Sequence, residues 1–205
     1  MISKKNYEIF NLRLLLDENS SQYMGVESVR KLLAHFTCPN KDVERFLHCN
    51  AIEFTQKSQS VTYLVIDTNT SAIAGFFALA IKPLSIDVAK LPSKKAAKKL
   101  ARVSILDQTT QTYTTAAYLL AQFGKNFSLP LEERIKGNDL LDFALEMIIR
   151  GKHSFGGMVC FLECEDVPRI LDFYADNGFA PFDSRMTEHA DGEEPYLLRQ
   201  LLRFI

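Results

Sequence analysis

Three places in this 205-residue chain combine residue types that can move a proton or hold an anion. In Phe173-Tyr174-Ala175-Asp176-Asn177-Gly178-Phe179 a phenol precedes a glycine suited to ending a helix, and a phenol is protonated near neutral pH and able to donate. Glu163 and Glu165 lie two residues apart at the end of an apolar run, so on a strand they share a face and present two carboxylates that can take up a proton. Gly137-Asn138-Asp139-Leu140-Leu141 opens a helical pattern, and the amides of Arg134, Ile135, Lys136, Gly137 and Asn138 around that positive helix end can face a phosphate, with Lys136 and Arg134 adding charge. Plainer roles stand beside each: core packing for Phe173 and Tyr174, a solvated strand end for the glutamates, an ordinary helix start for Gly137.

The elements that must position these groups follow from periodicity. Phe10, Leu12, Leu14 and Leu16 alternate with polar residues and predict a first strand. Helices are expected over Val26 to Phe36 and after Pro39-Asn40, where Val43, Phe46, Leu47 and Ala51 recur at helical spacing behind acidic Asp42 and Glu44. Val61–Asp67 and Ile73–Ile81 are β-rich runs around Thr68-Asn69-Thr70-Ser71, the composition of a hairpin turn. Residues 83–113 read as an inserted loop and helix: Pro83, Pro92, then the basic stretch Lys94-Lys95-Ala96-Ala97-Lys98-Lys99-Leu100-Ala101-Arg102. Its lysines suit an acidic acceptor, cofactor phosphates, or simple solvation.

Ala116–Phe123 is nearly continuous apolar sequence, as in a strand buried on both faces. Leu140, Leu141, Ala144, Leu145, Met147 and Ile148 form one face of a helix, Gly156-Gly157 opens a strand over Met158–Glu165, and Asp166 is an expected cap for a helix with Pro168 in its first turn. Strands from Pro181 and over Tyr196–Ile205 complete the chain. The alternation predicts one mixed α/β domain over residues 1–205.

Composition narrows the class. A hydrophobic content of 47%, charged content of 24% and mean hydropathy of −0.05 describe an ordinary globular protein. Net charge −1 and pI near 6.4 disfavour non-specific nucleic-acid binding, which would then need a local basic patch such as Lys94–Arg102. The cysteines at 38, 49, 160 and 164 and the histidines at 35, 48, 153 and 189 show no metal-ligand spacing. Cys160 and Cys164 read as buried, reduced thiols. The Met1–Asn6 start leads into no apolar core and no 18-residue apolar run exists, so a cytoplasmic protein without membrane contact is expected.

From about residue 40 onward the segments resemble the GNAT superfamily of acyl-CoA-dependent N-acyltransferases. Thr62–Asp67 with Ile73–Leu79 looks like that family's second and third strands. Tyr118-Leu119-Leu120-Ala121-Gln122-Phe123-Gly124-Lys125 looks like its cofactor strand, and Gly157–Asp166 followed by Phe173-Tyr174-x-x-x-Gly178-Phe179 like its fifth strand and fourth helix. The family's phosphate loop, Gln/Arg-x-x-Gly-x-Gly/Ala, is half kept: Gly137 holds the last position, Ile135 the middle one and Glu132 the first.

The resemblance implies an α/β (α+β) fold, a mostly antiparallel twisted sheet of six to seven strands flanked by helices, with central strands splayed. It implies acetyl-CoA as cofactor, held by Phe123, Gly124 and Lys125 along the strand and by residues 134–139 (Arg134, Ile135, Lys136, Gly137, Asn138, Asp139) at the pyrophosphate. An amide of Phe123 or Lys125 would stabilise the thioester oxyanion, Tyr174 would protonate the coenzyme A thiolate, and Glu163, Glu165 or water would take the amine's proton. The acceptor implied is an amine of a small molecule or protein, acting from a monomer or homodimer. Two alternatives remain: a toxin-like transferase acting on aminoacyl-tRNA, and a non-catalytic acyl-CoA-binding module, the latter motivated by Glu132 and Ile135.

Overall fold

The computed structural model describes residues 7–187 and 195–205; Met1–Asn6 and His189 lie outside the described residues. In chain order the elements are β1 (Tyr7–Asn11), α1 (Leu12–Leu16), α2 (Val26–Leu33), α3 (Lys41–Arg45), a π-turn (Phe46–Asn50), α4 (Ala51–Gln56), β2 (Val61–Asp67), β3 (Ala72–Asp87), α5 (Lys94–Leu100), β4 (Leu106–Asp107), β5 (Thr112–Lys125), α6 (Gly137–Phe155), β6 (Val159–Glu165), α7 (Pro168–Asp176), β7 (Ala180–Met186) and β8 (Leu197–Phe204). The sheet has eight strands in the order β1-β2-β3-β5-β6-β8-β7, with the two-residue β4 paired to β5. Of the pairs described, β5 with β6 is parallel, and β1/β2, β2/β3, β4/β5, β6/β8 and β7/β8 are antiparallel. The mostly antiparallel α/β sheet expected from the sequence is the one observed.

Three local expectations are corrected. The leucines Leu12 and Leu16 belong to a helix and not to a strand: the Asn11 side chain accepts a hydrogen bond from the Arg13 amide, turns the chain, and leaves Leu12 and Leu15 buried at helical spacing. The irregular segment is narrower than 83–113, because β3 runs through Pro83 to Asp87. Leu84 and Ile86 are buried there while Pro83 and Ser85 are exposed, a period-two pattern that the proline obscured. Asp166 does not cap the following helix; Val167 holds the cap position ahead of Pro168, and the Asp166 carboxylate accepts from Arg199 Nε and Nη2 at 3.0 and 3.1 Å.

The chain divides into two units, one reaching to Ala80 and including Leu120–Ile148, the other made of Ile81–Leu119 and the described part of Ile149–Ile205. In the first, Leu12, Val29, Leu33, Phe36, Leu47, Leu64 and Phe76 centre a core under β2 and β3. In the second, Leu84, Ile86, Leu100, Ala117, Val159, Phe161, Phe182 and Leu202 form the core. Burying side chains of this size contributes about 1.5–3 kcal/mol each.

Candidate functional site

In the first unit, β5 ends in a strand edge with defined polarity. The Asn126 amide donates to Ala74 O of β3 at 2.9 Å. Successive groups alternate sides along an extended strand, so the Gly124 amide and carbonyl face β3 and the Phe123 and Lys125 amides face the other edge. The Gly124 carbonyl is indeed on the β3 side, 2.9 Å from where a Cβ on Gly75 would sit. The parallel β5/β6 ladder, in the second unit, consists of Tyr118↔Cys160 and Leu119↔Phe161, and β5 runs on from there to Lys125. Gly124 is a glycine for steric reasons: an added Cβ would lie 2.6 Å from Val43 Cγ1 and 3.2 and 3.3 Å from the Phe76 and Phe36 rings.

Asn126, which sequence reading passed over, holds this strand end in place. It is 2% exposed. Its Oδ1 accepts from the Thr37 and Ser128 amides at 3.1 and 3.0 Å and from Ser128 Oγ at 2.8 Å, and its Nδ2 donates to Ile73 O at 2.8 Å. A buried amide with its donors and acceptors matched in this way rigidifies what it joins. Nothing in the sequence marked it beyond a polar residue following Gly124-Lys125.

The loop after β5 leads to the start of α6. Arg134 turns onto the loop itself, donating from Nε to Leu129 O at 2.8 Å and from Nη2 to Phe127 O at 3.0 Å, with its guanidinium 4.7 Å from the Phe127 ring centroid. Ile135 is 1% exposed. It anchors the loop by burial where the family pattern has a glycine. Lys136 O accepts the first helical bond, from the Leu140 amide at 3.1 Å, so α6 begins with its positive end at Gly137, Asn138 and Asp139 and Lys136 exposed beside it. Side-chain charge at this turn therefore comes from Lys136, while Arg134 shapes the loop and Asp139 offsets the helix dipole.

In the second unit, Tyr174 lies on α7 and is 8% exposed. Its ring meets those of Phe173 and Phe179 edge-on, with centroids 5.0 and 5.6 Å away. Gly178 terminates the helix with φ +79°, the left-handed conformation that favours glycine. Burial raises the Tyr174 pKa well above the ordinary phenol value, with electrostatic repulsion from Cys164 and Cys160 in their ionised forms as the further causes. Tyr174 is thus a fully protonated phenol at neutral pH. Burial also pushes the Cys160 and Cys164 thiols up to about 12 and about 11, which keeps both as inert thiols.

The two glutamates differ. Glu163 is gripped by Arg185 through Nε at 2.8 Å and Nη2 at 2.6 Å and by Gln200 Nε2 at 2.7 Å. Burial raises its pKa, but these hydrogen bonds and the Arg185 charge outweigh that and hold the carboxyl below its usual range. It is a poor proton acceptor. Glu165, on the same strand face, pairs in register with Leu198.

No protein-family model and no curated protein sequence matches this chain. Solved structures share its fold. One is AtaT complexed with acetyl-methionyl-tRNAfMet, 18% identical, TM-score 0.62, covering 95% of this chain and 94% of that one. Another is a Tyr-to-Phe variant of KacT, 15% identical, TM-score 0.61, covering 95% and 94%. A third is a Tyr-to-Phe variant of the AtaT toxin bound to the C-terminus of the antitoxin AtaR and acetyl-CoA, 14% identical, TM-score 0.57, covering 97% and 92%. The fold is GNAT-like, as the sequence resemblance implied.

Proposed function

We propose that this protein is an acetyl-CoA-dependent N-acetyltransferase in which an amine attacks the thioester directly. The observation that carries the proposal is the end of β5, where the Asn126 amide donates to Ala74 O of β3, so that the alternation of an extended strand turns the Phe123 and Lys125 amides to its other edge. Such an edge can pair with the amide-bearing pantetheine arm as it would with another strand. One of these amides then serves the developing oxyanion, a contribution of about 3–4 kcal/mol for a single donor elsewhere. The start of α6, with Lys136 beside it, supplies the pyrophosphate contacts. Sharing a fold with a toxin structure that contains acetyl-CoA supports the cofactor.

Tyr174, protonated by burial, is the group we assign to protonate the departing thiolate. Proton balance is then complete: the amine loses a proton as the C–N bond forms, and the sulfur gains one as the C–S bond breaks. Glu163, already bound by Arg185 and Gln200, is unsuited to receive the amine's proton. That role falls to Glu165 or water, and turnover of Glu165→Gln beside Glu163→Gln tells these apart.

For the acceptor, one observation favours the α-amino group of an aminoacyl-tRNA over a small amine: the AtaT structure in complex with acetyl-methionyl-tRNAfMet matches over 95% of this chain. The first experiment is thermal melting with acetyl-CoA. At a hundredfold excess over Kd, binding contributes about 2.7 kcal/mol, a rise of about 5–11 °C for a protein of this size. No rise overturns the cofactor assignment. A rise without coenzyme A release across small amines and aminoacyl-tRNA leaves a non-catalytic acyl-CoA-binding module instead.

A further inference from the structure

Arg203 stands where three elements of the second unit meet around the Tyr174 phenol. On β8 it lies in register with Cys160 of β6, and its neighbour Leu202 with Ala180 of β7. Residues paired in this way point to one face of a sheet, so the Arg203 and Cys160 side chains share the face that meets α7. Arg203 Nη1 donates to Asn177 O at 2.9 Å, and its guanidinium lies 6.0 Å from the Phe179 ring centroid. A Cβ added to Gly178 would sit 3.8 Å from its Nε. The Arg203 charge also opposes the effect of burial on the Cys160 thiol, and Cys160 is one of the two thiols that act on Tyr174. Arginine, thiol and phenol therefore form one cluster.

The end of α7 is a turn whose carbonyls are used one after another. Tyr174 O accepts from the Asn177 and Phe179 amides at 3.1 and 3.0 Å, and Ala175 O from the Gly178 amide at 2.9 Å. Phe173 O accepts from Asn177 Nδ2 at 2.8 Å. Asn177 O is the carbonyl that Arg203 takes. The helix dipole favours a cation at this end, and a charged donor makes a stronger bond to a carbonyl than a neutral one. The Phe179 ring meets the Tyr174 ring edge-on, with centroids 5.6 Å apart, and no hydrogen bond joins the Tyr174 hydroxyl to another described residue. Ring packing thus sets where that hydroxyl points, and Phe179 links the packing of Tyr174 to Arg203.

We propose that Arg203 is a positioning residue for the acid of the transfer reaction, fixing the Tyr174 phenol through Asn177 O and the Phe179 ring. The inference rests on the assignment of Tyr174 as the group that protonates the departing thiolate. In this role Arg203 touches neither cofactor nor acceptor. It narrows the positions open to the phenol, and general acid catalysis requires the donor within hydrogen-bond reach of the atom it protonates. Misplacing a reacting group by about 1 Å costs on the order of 10²-fold in rate.

The test is a double-mutant cycle of Arg203→Met and Tyr174→Phe in the full chain. It is read as kcat and KM for acetyl-CoA, from coenzyme A release with an aminoacyl-tRNA acceptor, and as Tm. Methionine keeps an unbranched stem beside Gly178 and removes the guanidinium. In the parent background Arg203→Met is expected to lower kcat by about 10–100-fold, with KM for acetyl-CoA within about twofold of the parent value. In the Tyr174→Phe background the same change is expected to cost no further turnover, because the acid it positions is already gone. Its effect on Tm is expected to be the same in both backgrounds. A merely structural role would lower kcat by equal factors in the two. Should Arg203→Met not melt cooperatively, Arg203→Lys takes its place in the cycle with the same expectations, since it keeps a charged donor but loses the planar fork. Three results overturn the inference: kcat within about threefold of the parent, equal losses in the two backgrounds, or a rise in KM in place of the fall in kcat. Parental turnover in Tyr174→Phe alone is a failure of the acid assignment, and Arg203 loses its role with it. A parent that releases no coenzyme A with aminoacyl-tRNA or small amines removes the transferase reading and this inference together.

Discussion

Changing Tyr174 to Phe removes one oxygen and leaves the ring in its contacts with Phe173 and Phe179. Burial is the main cause that raises the pKa of the hydroxyl, and no hydrogen bond joins it to another described residue. Deleting a hydroxyl without such a bond changes stability by about 1 kcal/mol at most, a shift of about 2–4 °C in Tm. Loss of the proton donor to the thiolate lowers turnover by about 10²–10⁴-fold, or about 2.7–5.4 kcal/mol in the barrier. The two numbers differ enough to separate catalysis from packing. Single-turnover release of coenzyme A, read against an amine or aminoacyl-tRNA acceptor at saturating acetyl-CoA, measures the first; melting with and without coenzyme A measures the second. Because the phenol stays protonated far above neutral pH, lowering the pH will not restore the variant. Turnover within about threefold of the parent refutes the assignment of the acid, and a fall in Tm beyond about 6 °C shows that the hydroxyl serves the fold.

Gly124→Ala places a methyl 2.6 Å from Val43 Cγ1, on a β-branched side chain with little freedom to turn away; overpacking of about 1–3 kcal/mol is expected, with weaker acetyl-CoA binding, and parental melting and affinity contradict it. Alkaline stability follows from Cys160, whose pKa burial raises from 9.0 to about 12 against an opposing effect of Arg203. The folded state keeps a proton that the unfolded state has lost, so this contribution is complete below pH 9 and disappears as pH rises from 9 toward 12. The shift corresponds to roughly 4 kcal/mol. Melts of Cys160→Ala in reductant should show a shallower decline than the parent over that window, with Tyr174 adding in the same direction above pH 10; parallel declines would show that Cys160 has no part in it.

The sequence determined the element types wherever one periodicity dominated, as in the hairpin of β2 and β3, in β6 and in α6, because burial of one face or both imposes its own repeat. It also carried the Tyr174 helix, since Pro168 and Gly178 mark its ends by backbone conformation alone. Where two periods overlapped, local geometry decided: Leu12, Leu14 and Leu16 satisfy a strand pattern, but the Asn11 cap makes the segment helical. What only tertiary structure decided was how polar groups are used. Arg134 and Glu163 have the right chemistry for a site, yet Arg134 donates to loop carbonyls and Glu163 accepts from Arg185 and Gln200. Asn126, unremarkable in sequence, lies at the centre of the strand end. A hydrogen bond depends on partners as far as 89 residues away, as Thr37 is from Asn126, and such pairings leave no periodic trace along the chain. The cations of α5 show the converse, for their spacing was visible throughout, while only the fold shows Lys94, Lys95 and Lys98 exposed and without an ion pair among the described residues.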